Sequence, residues 1–381
     1  MTLIFTLETL QADQGDSLIL HYGPADNPLV AVIDGGPSGV YKRALRPRLD
    51  ELRASRDPDG ALQLQLVMVS HIDDDHIRGV LDLVQQLERE REDGRDPSFE
   101  VLALWHNSFE DVVGGNGPAG VPAEVSALAT GSTASSAGLS EPARLVVASI
   151  AQGRRLRDTA AALALEVNRP FDGTVIAPRT VDWGDGLELT VVGPDGERLE
   201  DLQRDWERNV RKKPPSEATV AAYLDRSVFN LSSIVVLATV RKKRMLLTGD
   251  ARGDDVLAGL RKAGLLDRAP LHVDVLKLPH HGSDRNVETD FFRQVVADHY
   301  VVSGDGTDDN PEMATFEMIS DAREDDDFVL HLTHDEGNND LGKRLAKFKA
   351  KERKSGRRYE IRSPTGSERS LKIDLLDAVT E

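Results

Sequence analysis

Four segments of this chain repeat one plan, in which a short apolar run ends in a turn built from aspartate, histidine and glycine. They are residues 29–36 (LVAVIDGG), 62–76 (LQLQLVMVSHIDDDH), 245–250 (MLLTGD) and 273–283 (VDVLKLPHHGS). Apolar runs of this length read as buried strands, and α/β folds place their chemistry where such strands end. After the second run, Ile77, Val80, Leu81, Val84 and Leu87 recur at helical spacing as far as Gly94, which predicts a helix over 77–92. The pattern restricts the chain to an α/β or α+β core, and its two strand-rich halves with helices between them suggest two packed sheets flanked by helices.

The densest of these turns holds His71, Asp73, Asp75 and His76 in the order H-x-D-x-D-H. Two imidazoles and two carboxylates within six positions are costly to gather unless they share cations. Asp74 is expected to be a solvent-facing spacer, because a period of two points it away from its neighbours. The chain has no cysteine, so any metal must be held by His, Asp, Glu or Asn.

In this order, the turns Asp34-Gly35-Gly36, H-x-D-x-D-H, Thr248-Gly249-Asp250 and His280-His281-Gly282-Ser283, with Gln14-Gly15-Asp16-Ser17 before them, resemble the metallo-β-lactamase superfamily. The likeness is closest to the soluble hydrolase domains of the DNA-uptake channel family ComEC, and it runs from about residue 4 to 305. It implies an αββα four-layer sandwich and a site with two divalent cations, Mn²⁺ or Zn²⁺, with Mg²⁺ also compatible. It assigns His71 and Asp73 to one metal and Asp75 and His76 to the second, with Asp250 bridging. His280 is favoured over His281 as the remaining ligand, which leaves His281 to contact substrate or assist the leaving group. Asp34 is expected to orient the cluster by hydrogen bonds rather than to bind metal. Asp75, Asp250, His281 and Asp34 are thus the candidate catalytic residues.

Two departures from the family pattern stand out. Asp73 replaces the usual second histidine, and this harder oxygen ligand tilts the preference toward Mn²⁺ or Mg²⁺ and away from Zn²⁺. The usual histidine before the Asp250 hairpin is absent, and that place holds Phe229-Asn230-Leu231-Ser232-Ser233. Asn230, Ser233 and His106, the one histidine between His76 and Asp250, are the candidates to fill the gap.

The formal net charge of −18 argues against a polyanion binder that uses its whole surface. Two basic clusters run against it. Residues 343–358 carry nine Lys and Arg against one Glu, and Arg241-Lys242-Lys243-Arg244 forms the tip of an expected hairpin. Both could neutralise phosphates, so Lys242, Lys243 and Ser283 are candidate substrate contacts. The leading expectation is a phosphodiesterase or nuclease that uses a two-metal-activated hydroxide, with nucleic acid as substrate. The alternatives are a hydrolase of a small ester, lactone or phosphoester, and a weakly catalytic effector or regulatory subunit with protein partners. No run approaches ~18 apolar residues and the N-terminus lacks a basic n-region, so a cytoplasmic protein without membrane contact is expected. One domain is expected over 1–381. Insertions are expected at about 108–170 and 196–226, and a C-terminal extension at 341–381 that pairs a basic helix with a closing hairpin (357–363 with 370–376).

Overall fold

The computed structural model describes residues 2–108, 141–200, 232–323, 326–357 and 360–378. Asn230 and most of both expected insertions lie outside the described residues. The fold is mixed α/β. A six-stranded sheet is built from β1 (Leu3–Leu10), β2 (Leu18–Pro24), β3 (Leu29–Ile33), β5 (Leu66–Met68), β7 (Leu104–Trp105) and β16 (Ser370–Asp374), in the order β16-β1-β2-β3-β5-β7. An eight-stranded sheet is built from β8 (Arg179–Gly184), β9 (Leu187–Gly193), β10 (Val235–Val240), β11 (Lys243–Leu247), β12 (Leu271–Lys277), β13 (Val295–Val302), β14 (Val329–Leu332) and β15 (Glu360–Arg362). Its order is β15-β14-β13-β12-β11-β10-β9-β8. Between β3 and β5 run α1 (Arg46–Arg56) and β4 (Leu62–Leu64), the latter paired with β6 (Phe99–Val101).

Three buried clusters show how these elements pack. One joins side chains of both sheets, among them Phe5, Leu20, Met68 and Trp105 from the first and Val191, Val236, Met245 and Val275 from the second. A second lies between the first sheet and the helices α1 and α2 (Asp74–Glu92), with Leu156 of α3 (Glu141–Ala162). The third lies between the second sheet and α4 (Gly253–Lys262), α5 (Thr289–Gln294), α6 (Met313–Ala322) and α7 (Leu341–Ser355). Each sheet is therefore apolar on both faces, which is why its strands read as continuous apolar runs rather than alternating ones.

Strands β3, β5 and β7 are mutually parallel, as are β11 through β15. The turns that follow β3, β5, β11 and β12 lead the chain out of the two sheets to one shared cluster. Among the described residues no helix is long and apolar enough to cross a membrane.

Several sequence expectations need correction. The apolar run 62–69 divides into β4 and β5, which enter different sheets. The helix after it begins at Asp74, so Asp75 and His76 lie in its first turn rather than ahead of it. Asn310-Pro311 reads as an N-cap and first-turn signal for a helix over 311–322, but the helix starts at Met313. The expected C-terminal hairpin does not form. Its first strand adds parallel to β14, whereas its second adds antiparallel to β1 in the other sheet. Alternation identified both as strands, but pairing partners are a tertiary choice.

Candidate metal centre

Helix α2 is locked to the turn after β3 by two reciprocal backbone bonds, Gly35 N–H to His76 O at 2.8 Å and Gly79 N–H to Gly36 O at 3.0 Å. A Cβ on Gly79 would stand 1.9 Å from Gly35 O, so only glycine permits this approach. The contact brings Asp34 beneath His76. Asp34 accepts the backbone N–H and the hydroxyl of Ser70, both at 2.7 Å, and faces His76 Nδ1 at 2.9 Å. Asp34 thus meets His76 on the Nδ1 side, away from Asp250.

Asp73 occupies the N-cap position of α2, where an aspartate ordinarily accepts a hydrogen bond from the first-turn amides. It makes no such bond. Its carboxylate instead stands 3.6 Å from His71 Nε2 and accepts the Ser149 hydroxyl at 3.3 Å. Asp74 is not a free spacer, because it is half-buried and accepts a 2.6 Å bond from Gln152.

The second sheet supplies the remaining members. Asp250 follows Gly249, whose backbone presses against Ser70, and the Asp250 N–H lies 3.3 Å from Ser233 Oγ. Ser233 thus supports the turn. His280 and His281 both have positive φ (47° and 53°) within a turn after β12, a strained backbone for residues with a Cβ. That turn aims the two rings at the two oxygens of Asp250.

The geometry around Asp250 is the centre of the site. Its Oδ1 lies 3.2 Å from His76 Nε2 and 3.5 Å from His281 Nε2, and its Oδ2 lies 3.6 Å from His280 Nε2 and 3.8 Å from His71 Nε2. Four imidazoles therefore present the same nitrogen to one carboxylate. Each has its other nitrogen near an oxygen: Ser70 Oγ at 3.1 Å for His71, Asp34 at 2.9 Å for His76, Asn286 Oδ1 at 2.8 Å for His280 and Asp16 at 3.5 Å for His281. Imidazoles held from behind in this way are set up as cation ligands. Asp75 adds a carboxylate 3.4 Å from His281 Nε2.

The donor set fits a cation. A carboxylate can only accept, and both His76 nitrogens face one, Nδ1 toward Asp34 and Nε2 toward Asp250 Oδ1. His281 is placed alike, with Asp16 at Nδ1 and Asp250 and Asp75 at Nε2. The two Nε2 atoms are 3.2 Å apart, so the space between them and Asp250 calls for positive charge, which protons or a metal ion can supply. The electrostatics agree. Burial alone would lower the affinity of His76 and His281 for protons, yet Asp250 and the neighbouring aspartates raise both well above the ordinary histidine value. Burial pushes Asp75 up, but His76 and His281 outweigh it and hold the carboxyl at about 2. Asp250 is held well below its usual range by His281, His76 and His280, against the same burial. The buried group Asp16, His76, Asp250 and His281 could hold a metal ion.

His280 and His281 both face Asp250, through different oxygens. His281 is buried in the cluster with His76, whereas His280, with 20% of its side chain exposed, faces the opposite oxygen beside His71. His106 is buried at the end of β7, its backbone held by the Asn168 side chain, and is not among the gathered residues. Ser283 is buried just past the histidine pair. Lys242 and Lys243 do not reach the site. Lys242 lies in the turn before β11 and Lys243 at its first position, about 15 Å or more along the strand from Asp250, and Lys243 pairs there with Asp274 at 2.5 Å. Two members went unassigned at the level of sequence. Asp16 lies in the quoted Gln14–Ser17 turn, and Lys277 directly precedes the Leu278-Pro279-His280-His281 run.

No protein-family model matches this chain, and no curated protein matches it either.

Proposed function

We propose that this protein is a metal-dependent hydrolase of phosphodiesters, a nuclease by substrate class, with the metallo-β-lactamase type of αββα layering. The observation that carries the reading is the pair of half-sites on Asp250, with His76 and His281 on one oxygen and His71 and His280 on the other, Asp75 standing beside His281 and Asp73 beside His71. Such a carboxylate can bridge two cations. The three sheet-and-helix clusters support the layering, and the position beyond parallel strand ends supports a catalytic location.

Bound divalent cations would supply Lewis acidity and a nucleophile at neutral pH. The mixed imidazole and carboxylate donors suit Mn²⁺ or Zn²⁺ better than Mg²⁺. The chain's own groups divide the remaining work. Asp34, Ser70 and Asn286 hold the rings in place. Asp73, Asp75 and His280, with side chains 20%, 27% and 20% exposed, form the open side from which substrate arrives. His280 is the one imidazole of the four with appreciable exposure, so its half-site is the one that opens toward substrate.

A second reading, hydrolysis of a small ester, lactone or phosphoester, draws on the remoteness of the Arg241–Arg244 tip and the acidity of the opening. The deciding experiment measures turnover of bis-p-nitrophenyl phosphate and of single- and double-stranded DNA and RNA with Mn²⁺, Mg²⁺ and Zn²⁺. Asp250→Ala should abolish all hydrolysis while the circular dichroism spectrum is retained. Unchanged turnover and metal content in that variant would remove the bridging role. Cleavage of the chromogenic diester without any nucleic acid cleavage would favour the small-substrate reading.

A further inference from the structure

Asp16 is close enough to His76, His281 and Asp250 to be counted among possible ligands, but its surroundings give it a different task. The turn that carries it is pinned to the metal-facing helix. Its N–H donates to Asp75 O at 3.2 Å, and a Cβ on Gly15 would stand 2.0 Å from that same oxygen. Asp16 Oδ2 is in direct contact with the ammonium of Lys277, a fully buried lysine at the end of β12. Oδ1 faces His281 Nδ1 at 3.5 Å, behind the ring rather than on its open Nε2 side. A dication on Oδ2 would be pressed against the Lys277 charge. Moreover, the other three histidines each have an oxygen at Nδ1, and Asp16 is the corresponding oxygen for the fourth.

We propose that Asp16 and Lys277 are a buried positioning pair, in which Lys277 fixes the Asp16 carboxylate so that it holds His281 with Nε2 open to a cation, and that Asp16 is not itself a ligand. This inference rests on the metal-site reading above. Because Asp16 belongs to the β1–β2 connection and Lys277 to β12, the pair also links the two sheets at the site. A buried ammonium and a buried carboxylate are each tolerable only with the other in place.

The pair predicts a rescue. In Asp16→Asn the amide group would face either the Lys277 ammonium or His281 Nδ1. An NH₂ cannot sit against an ammonium, so the amide oxygen turns to Lys277 and the NH₂ to His281. The ring must then accept at Nδ1 and carry its proton on Nε2, which blocks the cation side. Removing the ammonium as well lets the amide oxygen return to His281.

The full-length protein, Asp16→Asn, Lys277→Met and the double variant should be titrated with Mn²⁺ by calorimetry. Imidazole ¹⁵N spectra of the metal-free forms would be recorded in parallel, at a pH high enough for His281 to be neutral. Asp16→Asn should weaken Mn²⁺ binding by about 10–100-fold with unchanged stoichiometry, and His281 should switch to the Nε2–H tautomer. The double variant should bind Mn²⁺ several-fold more tightly than Asp16→Asn and regain the Nδ1–H tautomer. Loss of a metal equivalent in Asp16→Asn would make Asp16 a ligand and overturn the proposal. A double variant that binds no better than Asp16→Asn would overturn it too. Should Lys277→Met fail to fold, the stoichiometry and tautomer of Asp16→Asn still decide. Absence of Mn²⁺ binding by the unmodified protein would count against the proposed function, whereas the tautomer of its metal-free form would still test the pair.

Discussion

Replacing Asp34 by asparagine tests the site without removing a metal-facing group. Asp34 accepts three contacts, from Ser70 N–H, the Ser70 hydroxyl and His76 Nδ1–H, at 2.7, 2.7 and 2.9 Å. Its φ of 58° is one that asparagine also adopts, so the backbone should be undisturbed. The amide has one accepting and one donating end. Keeping the Ser70 N–H bond with its oxygen turns the NH₂ toward His76 Nδ1, which must then accept. The proton moves to Nε2, 3.2 Å from Asp250 Oδ1, where it satisfies the carboxylate without any metal. Supporting contacts of this kind are worth about 10–100-fold in metal affinity, or about 1.4–2.7 kcal/mol. Calorimetric titration of Mn²⁺ or Zn²⁺ into metal-free protein measures the loss. Affinity within two-fold of the unmodified protein would refute the argument that Asp34 sets the His76 ring for a cation at Nε2.

Three further outcomes follow from the same geometry. Buried Glu8 faces burial that would raise its pKa, yet His21, Arg48 and Ser370 bring it down from 4.5 to about 2. A depressed carboxyl contributes stability above about pH 4.5 that disappears as pH falls toward 2, about 3 kcal/mol in all. Urea melts of Glu8→Gln should accordingly show a flatter acid limb, and an identical limb would assign acid unfolding to other groups. Gly79→Ala places a methyl 1.9 Å from Gly35 O, so it should lose several degrees of melting temperature and most bound metal together. Near-native values for both would show that the α2 contact is not needed. Finally, if α7 tracks a nucleic-acid backbone, its cations without a carboxylate partner matter more than those already paired, such as Lys351 with Glu317 at 2.6 Å. Lys347→Glu with Lys354→Glu should lower the log–log salt slope of DNA binding by about one to two units, whereas Lys351→Glu should change it less. Equal slopes in all three proteins would detach α7 from substrate binding.

The members of the site that come from one local segment are legible in the amino-acid sequence. His71, Asp73, Asp75 and His76 are crowded into six positions, and such crowding is costly without a shared cation. Asp250 and the His280–His281 pair each close an apolar strand, and it is their order with the other turns, through the resemblance it carries, that marks them as site residues. Likewise, the α+β class follows from the apolar runs and the helical spacing after His76, since both are short-range properties of the chain. The tertiary structure alone decided which imidazole belongs to which oxygen. Periodicity does not encode the positive φ values that swing His281 inward and leave His280 at the opening. It alone brought Asp16 together with a lysine 261 positions away, across two sheets. It also separated Lys242 and Lys243 from Asp250, close in sequence but placed at opposite ends of a strand. Finally, it sent the last two strands to different sheets. Hydrogen-bonding edges look alike from within a strand, and the choice between them is made by whatever surface the rest of the fold leaves open.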